Sequence, residues 1–278
     1  LDKIDGSGGS DENVIVPWYN LHKVLAGLID IYTFADDKEL AKAALGIAEN
    51  FGEYVFNRCS KLADNQVMLR TEYGGMNEAL YELYDITGNA HFKAAAEYFD
   101  EVALFNSLAA GQDVLNGKHA NTTIPKLIGA LKRYTVMMDN EDYYDALTEE
   151  EQADLEKYKT AAVNFWDIVV EHHTYITGGN SQSEHFHEAD KLYYDATKSD
   201  YDGSSTCETC NTYNMLKLSR ELYKLTKDKK YMDYYENTYI NAILSSQNPE
   251  TGTTMYFQPM APGYNKVFNR PHDEFWCC

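Results

Sequence analysis

Four of the five cysteines of this 278-residue chain lie in two short stretches. "TCETC" occupies positions 206–210, with Glu208 between its two cysteines, and "FWCC" occupies positions 275–278. Thiolate and carboxylate groups at such close spacing can form redox pairs, disulfides or metal sites, and a thiolate can also act as a nucleophile. The sequence around the two stretches favours some of these chemistries over others.

Redox chemistry and a disulfide framework both fit this sequence poorly. A redox C-x-x-C motif belongs to a βαβ setting, and no such pattern surrounds Cys207 and Cys210. A disulfide framework requires a secreted context and more than five cysteines in 278 residues. The adjacent Cys277 and Cys278 are also poorly placed to bond to each other, given the geometry that a disulfide demands.

A zinc site fits better. Tetrahedral Zn²⁺ takes four soft or borderline ligands. The two stretches offer such a set, namely Cys277 and Cys278 together with Cys210 and either Glu208 or Cys207. Because four protein ligands close the coordination shell, the ligand count alone favours a structural zinc.

A second group that could do chemistry lies in the least helical part of the chain, around 174–207. The segment "TGGNSQSEHF" places Glu184 and His185 after a Gly-Gly pair and a cluster of amides and hydroxyls. Long loops inside compact folds often carry function, and a carboxyl group on such a loop can serve as a general acid. The alternative is a solvated loop glutamate without a catalytic role.

Helical periodicity dominates the rest of the sequence. In "WYNLHKVLAGLIDIY", apolar residues recur at i, i+4, i+7 and i+11, which predicts a helix from Trp18 onward. Similar stripes predict further helices over 39–56, 76–86, 91–105, 123–137, 149–171, 208–225 and 230–245, with Ser205 or Thr206 as a candidate N-cap of the helix over 208–225. Only "TTMYFQPM", at 253–260, predicts a strand.

A recurring polar turn joins these helices in pairs. Its turn residues Asp37, Asn89, Asn140 and Asp228 are spaced by 52, 51 and 88 residues, and the longer interval contains the insertion around 174–207. A repeat of helical hairpins predicts an array rather than a plain bundle, and the sequence favours an all-α fold of (α/α)6-toroid type. Since about four pairs are present instead of six, we expect hairpins to be missing at the N-terminus.

The composition limits the possible partners. A net charge of −20 argues against nucleic acid and anionic membranes, and no apolar run approaches the ~20 residues of a membrane span. The 23 tyrosines suit a polar, stackable ligand such as a sugar. Both ends of the chain look cut, so we interpret residues 1–278 as one domain that is truncated at both ends, and localisation cannot be read.

Several motifs together resemble a known family. "VPWYNLHKVLAGL", "HANTTIPK", "ITGGNSQSEHF", "ETCNTYNMLKLSRELY" and the terminal "WCC" resemble the β-L-arabinofuranosidases of glycoside hydrolase families 127 and 146, formerly the DUF1680 group. The resemblance extends from about Val16 to Cys278, and "HANTTIPK" and "SEHFH" are closer to family 146. It implies a retaining exo-glycosidase that removes terminal β-L-arabinofuranose from oligosaccharides or polysaccharides, in a protein with further domains.

The resemblance also implies roles for individual residues. In this family a zinc-bound cysteine attacks the anomeric carbon and forms a thioglycosyl intermediate; Cys277 matches this nucleophile, and Glu184 matches the acid/base. The implied zinc ligands are Glu208, Cys210, Cys277 and Cys278. The implied sugar-binding residues are His22, His119, Tyr256 and His185.

Two other functions compete with this one. Zinc could clamp two segments of a toroid that has no turnover, or the fold could carry a different glycan enzyme, such as an epimerase or an unsaturated-uronyl hydrolase. The cysteine cluster argues against a different glycan enzyme, because epimerases and unsaturated-uronyl hydrolases of this fold use carboxylates or histidines. We interpret Cys207 as a bystander or a substitute ligand and Cys59 as a small core residue.

Overall fold

The computed structural model describes residues 1–4, 16–197 and 203–270, without the side chains of residues 141, 142, 194 and 195. The helices in these ranges are α1 (Pro17–Phe34), α2 (Lys38–Cys59), α3 (Gln66–Leu69), α4 (Met76–Thr87), α5 (Ala90–Glu97), α6 (Val102–Ala109), α7 (Ala120–Asp139), α8 (Glu141–Asp145), α9 (Glu149–His172), α10 (Leu192–Thr197), α11 (Thr209–Thr226) and α12 (Lys229–Thr238). A π-helical turn (Tyr239–Ile243) and a 3₁₀ turn (Leu244–Ser246) follow α12.

The predicted helices are present, and two of them are interrupted. The helix predicted over 91–105 divides into α5 and α6, and the carboxylate of Asp100 lies buried at the break, where it accepts a 2.6 Å hydrogen bond from Tyr81. The helix predicted over 230–245 continues past Thr238 as the π-helical and 3₁₀ turns. Periodicity alone does not show either interruption.

The recurring turn is a recurring helix N-cap. The side chains of Asp37, Asn89, Asn140 and Asp228 accept hydrogen bonds from backbone N–H groups in the first turns of α2, α5, α8 and α12, respectively. Asp and Asn are favoured at this position because they satisfy N–H groups that have no partner within the helix. The four turns therefore share one physical cause.

The chain divides into two compact units, and the division crosses α6, α7 and α9. The first unit comprises Leu1–Phe105 and Ile128–Lys159. In it, α1 packs against α2 and α4, and α5 packs against the same two helices. Trp18 meets Phe99 edge-on in its core, with the ring centroids 5.1 Å apart.

The second unit comprises Asn106–Leu127 and Thr160–Cys278. In it, α11 packs against α12, and Trp166 lies edge-on to Tyr231 with the ring centroids 4.7 Å apart. The Trp166 indole donates a 2.8 Å hydrogen bond to Ser219 on α11. The predicted insertion around 174–207 corresponds to the connection between α9 and α11, which contains α10.

The strand predicted over 253–260 is wrong as a strand. Thr254 and Phe257 form isolated bridges to Gln247 and Glu208, which belong to different segments. Because neighbouring residues of this segment pair with separate partners, no continuous ladder forms despite the β-branched and aromatic side chains. The segment is extended, and it connects two parts of the second unit.

Among the described residues, the structure contains no helix that is both long enough and apolar enough to cross a membrane.

Candidate active site

The Gly-Gly pair of the insertion lies in a tight turn of the second unit. The backbone N–H of Gly178 donates to the Tyr175 carbonyl at 2.8 Å, and Gly178 has a φ of +93°, which favours glycine. A Cβ on Gly179 would lie 2.6 Å from Cys207 Cβ and 2.7 Å from Cys207 Sγ. The turn therefore requires both glycines, one for its conformation and one for the close approach of Cys207.

Four short, largely non-helical segments then come together, and we call residues 117–120, 181–186, 205–209 and 256–258 the site segments. Backbone hydrogen bonds join them to one another: Phe186 N–H to Lys118 O (2.9 Å), Ala120 N–H to Glu184 O (2.7 Å), Ser183 N–H to Ser205 O (2.7 Å), Cys207 N–H to Ser181 O (3.2 Å), Thr209 N–H to Tyr256 O (2.9 Å) and Gln258 N–H to Cys207 O (3.2 Å). These bonds bring five of the predicted site residues onto the site segments, namely His119, Glu184, His185, Glu208 and Tyr256.

Glu184 is held at both carboxylate oxygens. The Tyr256 hydroxyl donates to Oε1 at 2.5 Å, and His119 Nε2 lies 3.4 Å from Oε2. The side chain of Glu184 remains 34% exposed, so a ligand can reach it. Glu184 is thus an oriented carboxyl group and differs from a solvated loop glutamate.

The backbone that presents Glu184 is unusual. Ser181, Ser183, Glu184 and Cys207 all have φ between +47° and +73°, a region that residues other than glycine seldom adopt. Such conformations persist only where surrounding contacts impose them, and they cluster at functional sites. Here the hydrogen bonds between the site segments impose them.

His119 turns its Nε2 towards Glu184, 3.4 Å from Oε2. Its Nδ1 accepts the backbone N–H of Thr122 at 3.4 Å, and its carbonyl accepts the Thr123 hydroxyl at 2.7 Å, in the first turn of α7. Since Nδ1 is an acceptor, the neutral ring carries its proton on Nε2, the atom nearest Glu184. The start of α7 therefore sets the tautomer of His119.

His185 lies beside His119 with the ring centroids 5.1 Å apart. Its Nδ1 donates to the Ser183 carbonyl at 2.7 Å, since a carbonyl oxygen can only accept. In the neutral ring, Nε2 then has an available lone pair. The two neighbouring histidines thus offer opposite hydrogen-bonding groups at Nε2, a donor on His119 and an acceptor on His185.

Glu208 is the N-cap residue of α11, and its side chain makes no capping hydrogen bond. The residue is 1% exposed, and burial, followed by the charge of Glu184, raises the pKa of its carboxyl to about 8. The predicted N-caps Ser205 and Thr206 are wrong. The Thr206 hydroxyl instead donates to the Gln258 carbonyl at 2.8 Å, so it is not available to cap α11.

The proposed zinc set is only partly within the described residues. Cys210 lies in the first turn of α11, two positions after Glu208, whereas Cys277 and Cys278 lie outside the described part of the chain. Within that part, no three His, Cys, Asp or Glu residues are grouped as metal ligands. Cys210 is disulfide-bonded in the structure, so it can bind a metal only after reduction.

The donors that are described nevertheless suit a zinc ion. A buried carboxyl group whose pKa is raised to about 8 gains stabilisation from a nearby cation, and a carboxylate with thiolates is a donor set that zinc accepts. Positions i and i+2 at the start of α11 place both donors on one turn. Zinc therefore remains compatible with Glu208 and Cys210.

The other two cysteines are free and buried. Burial raises the pKa of the Cys207 thiol, which accordingly stays protonated. Cys59 ends α2 in the first unit and lies 4.0 Å from the Met68 sulfur, which agrees with a core residue. Cys207 packs on Gly179, and this contact gives it a packing role.

His22 lies in the first unit, on α1, where it is 6% exposed. Its ring lies edge-on to Tyr19, with the centroids 5.1 Å apart, and it fills the space beside Gly74. The other predicted sugar-binding residues all belong to the second unit. A sugar-binding role for His22 stays a prediction.

One buried pair in the site is not predicted from the sequence. Asn211 Nδ2 donates a 2.7 Å hydrogen bond to the Ser181 hydroxyl, and both residues are buried. The available signal was a polar cluster, "GGNSQS", in a loop and an asparagine directly after Cys210. Nothing in the sequence indicates that these two residues meet.

An oriented, part-exposed carboxyl group such as that of Glu184 can serve as the acid/base of a glycoside hydrolase. The helical fold and this site are compatible with an all-α glycoside hydrolase. The chain belongs to the glycoside hydrolase family 127, since the profile of the β-L-arabinofuranosidase GH127 catalytic domain matches residues 7–278. A leaning towards family 146 stays a prediction.

Solved structures share the fold. The GH127 β-arabinofuranosidase BT3674 matches 91% of the chain with a TM-score of 0.61 and 20% identity. Ara127N, a GH127 β-L-arabinofuranosidase from Geobacillus stearothermophilus T6, matches 87% with a TM-score of 0.61 and 17% identity. A third structure, described as a glycoside hydrolase, matches 92% with a TM-score of 0.60 and 16% identity. The predicted all-α, toroid-type fold class is confirmed.

The chain covers 38%, 38% and 43% of the lengths of these three structures, so it spans about two fifths of them. No protein of curated function matches the sequence.

Proposed function

We propose that this chain is the catalytic part of a retaining exo-glycosidase that hydrolyses terminal β-L-arabinofuranosides. Cys277 is the proposed nucleophile, and Glu184 is the proposed acid/base. The observation that carries the proposal is the part-exposed Glu184 carboxylate, held by Tyr256 and His119 in a chain that belongs to family 127. The natural substrate is then an arabinofuranose-containing oligosaccharide or polysaccharide.

Glu184 has the geometry for both of its proton transfers. Tyr256 occupies Oε1, which leaves Oε2 to deliver a proton to the departing glycosidic oxygen and later to take one from water. A protonated Oε2 still has a lone pair. The contact of His119 Nε2 with Oε2 is therefore compatible with both the protonated and the ionised form of Glu184. A retaining enzyme needs this exchange of roles between its two steps.

The residues proposed to hold zinc are Glu208, Cys210, Cys277 and Cys278. Bound zinc would keep a cysteine thiol deprotonated at neutral pH and moderate its basicity. The chain itself contributes a buried carboxyl group and a thiol on one helical turn, and the thiol must be reduced. In this arrangement the nucleophile is one of the four ligands, so a closed shell is no argument for a purely structural metal.

The sugar-binding set is proposed as His119, His185, Tyr256 and His22. The first three belong to the second unit, where His119 and His185 present different hydrogen-bonding groups to a hydroxylated ligand. Further domains of the same protein are proposed partners. The remaining alternative is a zinc-stabilised fragment without turnover, which the same experiment tests.

The test combines elemental analysis with hydrolysis of p-nitrophenyl β-L-arabinofuranoside, both under reducing conditions. We expect one zinc per chain, and we expect Glu184→Gln and Cys277→Ser to lower kcat by about 10²-fold or more. Glu188→Gln, four residues along and exposed, is the matched control and should leave kcat unchanged. Zinc without hydrolysis would favour the structural alternative, and hydrolysis without zinc would overturn the thiolate mechanism.

A further inference from the structure

A buried side-chain hydrogen bond connects the loop that carries Glu184 to the start of α11. Asn211 Nδ2 donates to Ser181 Oγ at 2.7 Å, with Asn211 0% and Ser181 5% exposed. Ser181 lies three positions before Glu184, and Asn211 directly follows Cys210. The bond therefore connects the segment that presents the acid/base to the turn that presents Glu208 and Cys210.

The Asn211 amide presents Nδ2, its donor, to the Ser181 hydroxyl. The neighbouring Thr212 hydroxyl has one proton, which it donates to the Glu208 carbonyl at 3.0 Å, and its oxygen lies 3.4 Å from Asn211 Oδ1. The donor to Ser181 therefore belongs to the first turn of α11.

Ser181 needs such a partner. Its φ of +73° lies in the left-handed region, and Ser183 and Glu184 follow with φ of +47° and +68°. A series of conformations that are unfavourable for residues other than glycine holds only where contacts impose it. The Ser181 carbonyl also accepts from Cys207 N–H at 3.2 Å, so its side chain and its backbone both bind the segment that leads into α11.

We propose that Ser181 and Asn211 are positioning residues that set the distance between the Glu184 carboxyl and the Glu208–Cys210 turn. This inference rests on the proposed function, because it concerns the placement of the acid/base relative to the nucleophile and its metal ligands. In glycoside hydrolysis the separation of the two reacting groups decides the course of the reaction, and small misplacements cost rate. Neither residue needs to touch the substrate.

The experiment compares Ser181→Ala, Asn211→Ala and the double variant. We expect each single variant to lower kcat about tenfold with KM within about twofold, and the double variant to be no worse than the poorer single one. Amide hydrogen exchange should accelerate in the peptide that spans 181–186, where Ser183 and His185 N–H groups are bonded to Ser205 and Gln182. The zinc content should stay unchanged.

Two further variants make the test specific. Ser219→Ala removes a buried hydroxyl from the same helix, where it accepts from Trp166, and should change neither kcat nor exchange at 181–186. Ser181→Gly also removes the Ser181 hydroxyl but suits the positive φ, so it should fold well and still lose kcat.

The possible results separate the two proposals. Normal kcat and normal exchange in Ser181→Ala and Asn211→Ala, or strictly additive losses, would overturn the positioning role. If the wild-type chain shows no hydrolysis, the proposed function fails, whereas exchange at 181–186 still decides whether the Ser181–Asn211 bond holds the loop. Equal exchange in these variants and in Ser219→Ala would then count against it.

Discussion

The Tyr256 hydroxyl donates a 2.5 Å hydrogen bond to Glu184 Oε1, between residues that are 72 positions apart in the sequence. Tyr256 lies in the extended segment that pairs with the start of α11, and its carbonyl accepts the Thr209 N–H at 2.9 Å. The helix that carries Glu208 and the oxygen that anchors Glu184 are therefore connected through one residue. This relationship makes Tyr256 an orienting group for Glu184, the proposed acid/base.

Tyr256→Phe should lower kcat by about tenfold or more, because a hydrogen bond to a charged group contributes about 1.5–3 kcal/mol. The ring stays in place beside Phe257, so the metal content should change little, and the free energy of unfolding should fall by no more than about 1.5–3 kcal/mol. Steady-state hydrolysis of the nitrophenyl arabinofuranoside measures the effect. Tyr264→Phe, at a tyrosine that is 50% exposed in the following segment, is the control. An unchanged kcat in Tyr256→Phe would show that the hydrogen bond has no catalytic consequence.

His119 has two separable roles that two substitutions can distinguish. His119→Asn keeps a side-chain acceptor for the N–H groups at the start of α7 but is too short to keep the contact between Nε2 and Glu184. We expect it to retain the free energy of unfolding to within about 1 kcal/mol while kcat falls. His119→Ala should lose both the acceptor at the start of α7 and the contact with Glu184, with about 1 kcal/mol of additional destabilisation. Urea unfolding and initial rates on the same preparations check this, and equal rates in His119→Asn and wild type would contradict it.

The sequence allows the fold class to be predicted because its signals are local. Helical stripes and the caps Asp37, Asn89, Asn140 and Asp228 act within a few residues of their own positions. Interruptions such as the one at Asp100 depend on partners, here Tyr81 and Arg133, that only the folded chain brings together.

In the site, too, residue types can be predicted from the sequence, whereas contacts between distant residues cannot. A resemblance of motifs indicates Glu184, His119 and Tyr256, but not that the tyrosine and the histidine bind opposite oxygens of the glutamate. The Ser181–Asn211 hydrogen bond cannot be predicted from the sequence. It joins residues of two separate segments, and neither residue type identifies the other as its partner. Residue type predicts Ser205 or Thr206 as the N-cap of α11, but Glu208 holds that position, and the Thr206 hydroxyl donates to the Gln258 carbonyl.

The stability of the metal-free, reduced chain should fall as the pH rises towards 8. Burial first, and then the charge of Glu184, raises the pKa of Glu208 from 4.5 to about 8 in the folded state. A folded state that holds its proton more tightly than the unfolded state is favoured at low pH, and this contribution disappears as the pH rises through the folded pKa. Glu208→Gln lacks this titration.

Thermal unfolding at pH 5, 6.5 and 8, with chelator and reductant, measures the difference in Tm between wild type and Glu208→Gln. We expect wild type to lose stability relative to the variant over this interval. Parallel curves for the two proteins would mean that Glu208 titrates normally. Addition of zinc at pH 8 should restore the stability of wild type more than that of the variant, because a cation stabilises the carboxylate.

The first unit contains a buried ion pair whose loss should be costly. The Asp100 side chain is 1% exposed and accepts from Arg133 Nη1 at 2.6 Å, from the Tyr81 hydroxyl at 2.6 Å and from Asn77 Nδ2 at 3.2 Å. Arg133→Met leaves the carboxylate without its counter-charge and should lower the free energy of unfolding by about 3–5 kcal/mol. Adding Asp100→Asn to this variant should recover part of the loss, since it removes the uncompensated charge.

Urea unfolding of the two variants measures this, with Arg220→Met as the control. Arg220 is paired with Glu221 at 3.0 Å, but its side chain is 55% exposed, and exposed pairs contribute only about 0–1 kcal/mol. A loss below about 1 kcal/mol in Arg133→Met would show that Asp100 is neutral in the folded chain, because a protonated carboxyl group needs no cation. If Asp100 is neutral, Asp100→Asn alone should not lower the free energy of unfolding. If Asp100 is charged, the same substitution should be destabilising, because the Arg133 guanidinium then has no carboxylate partner.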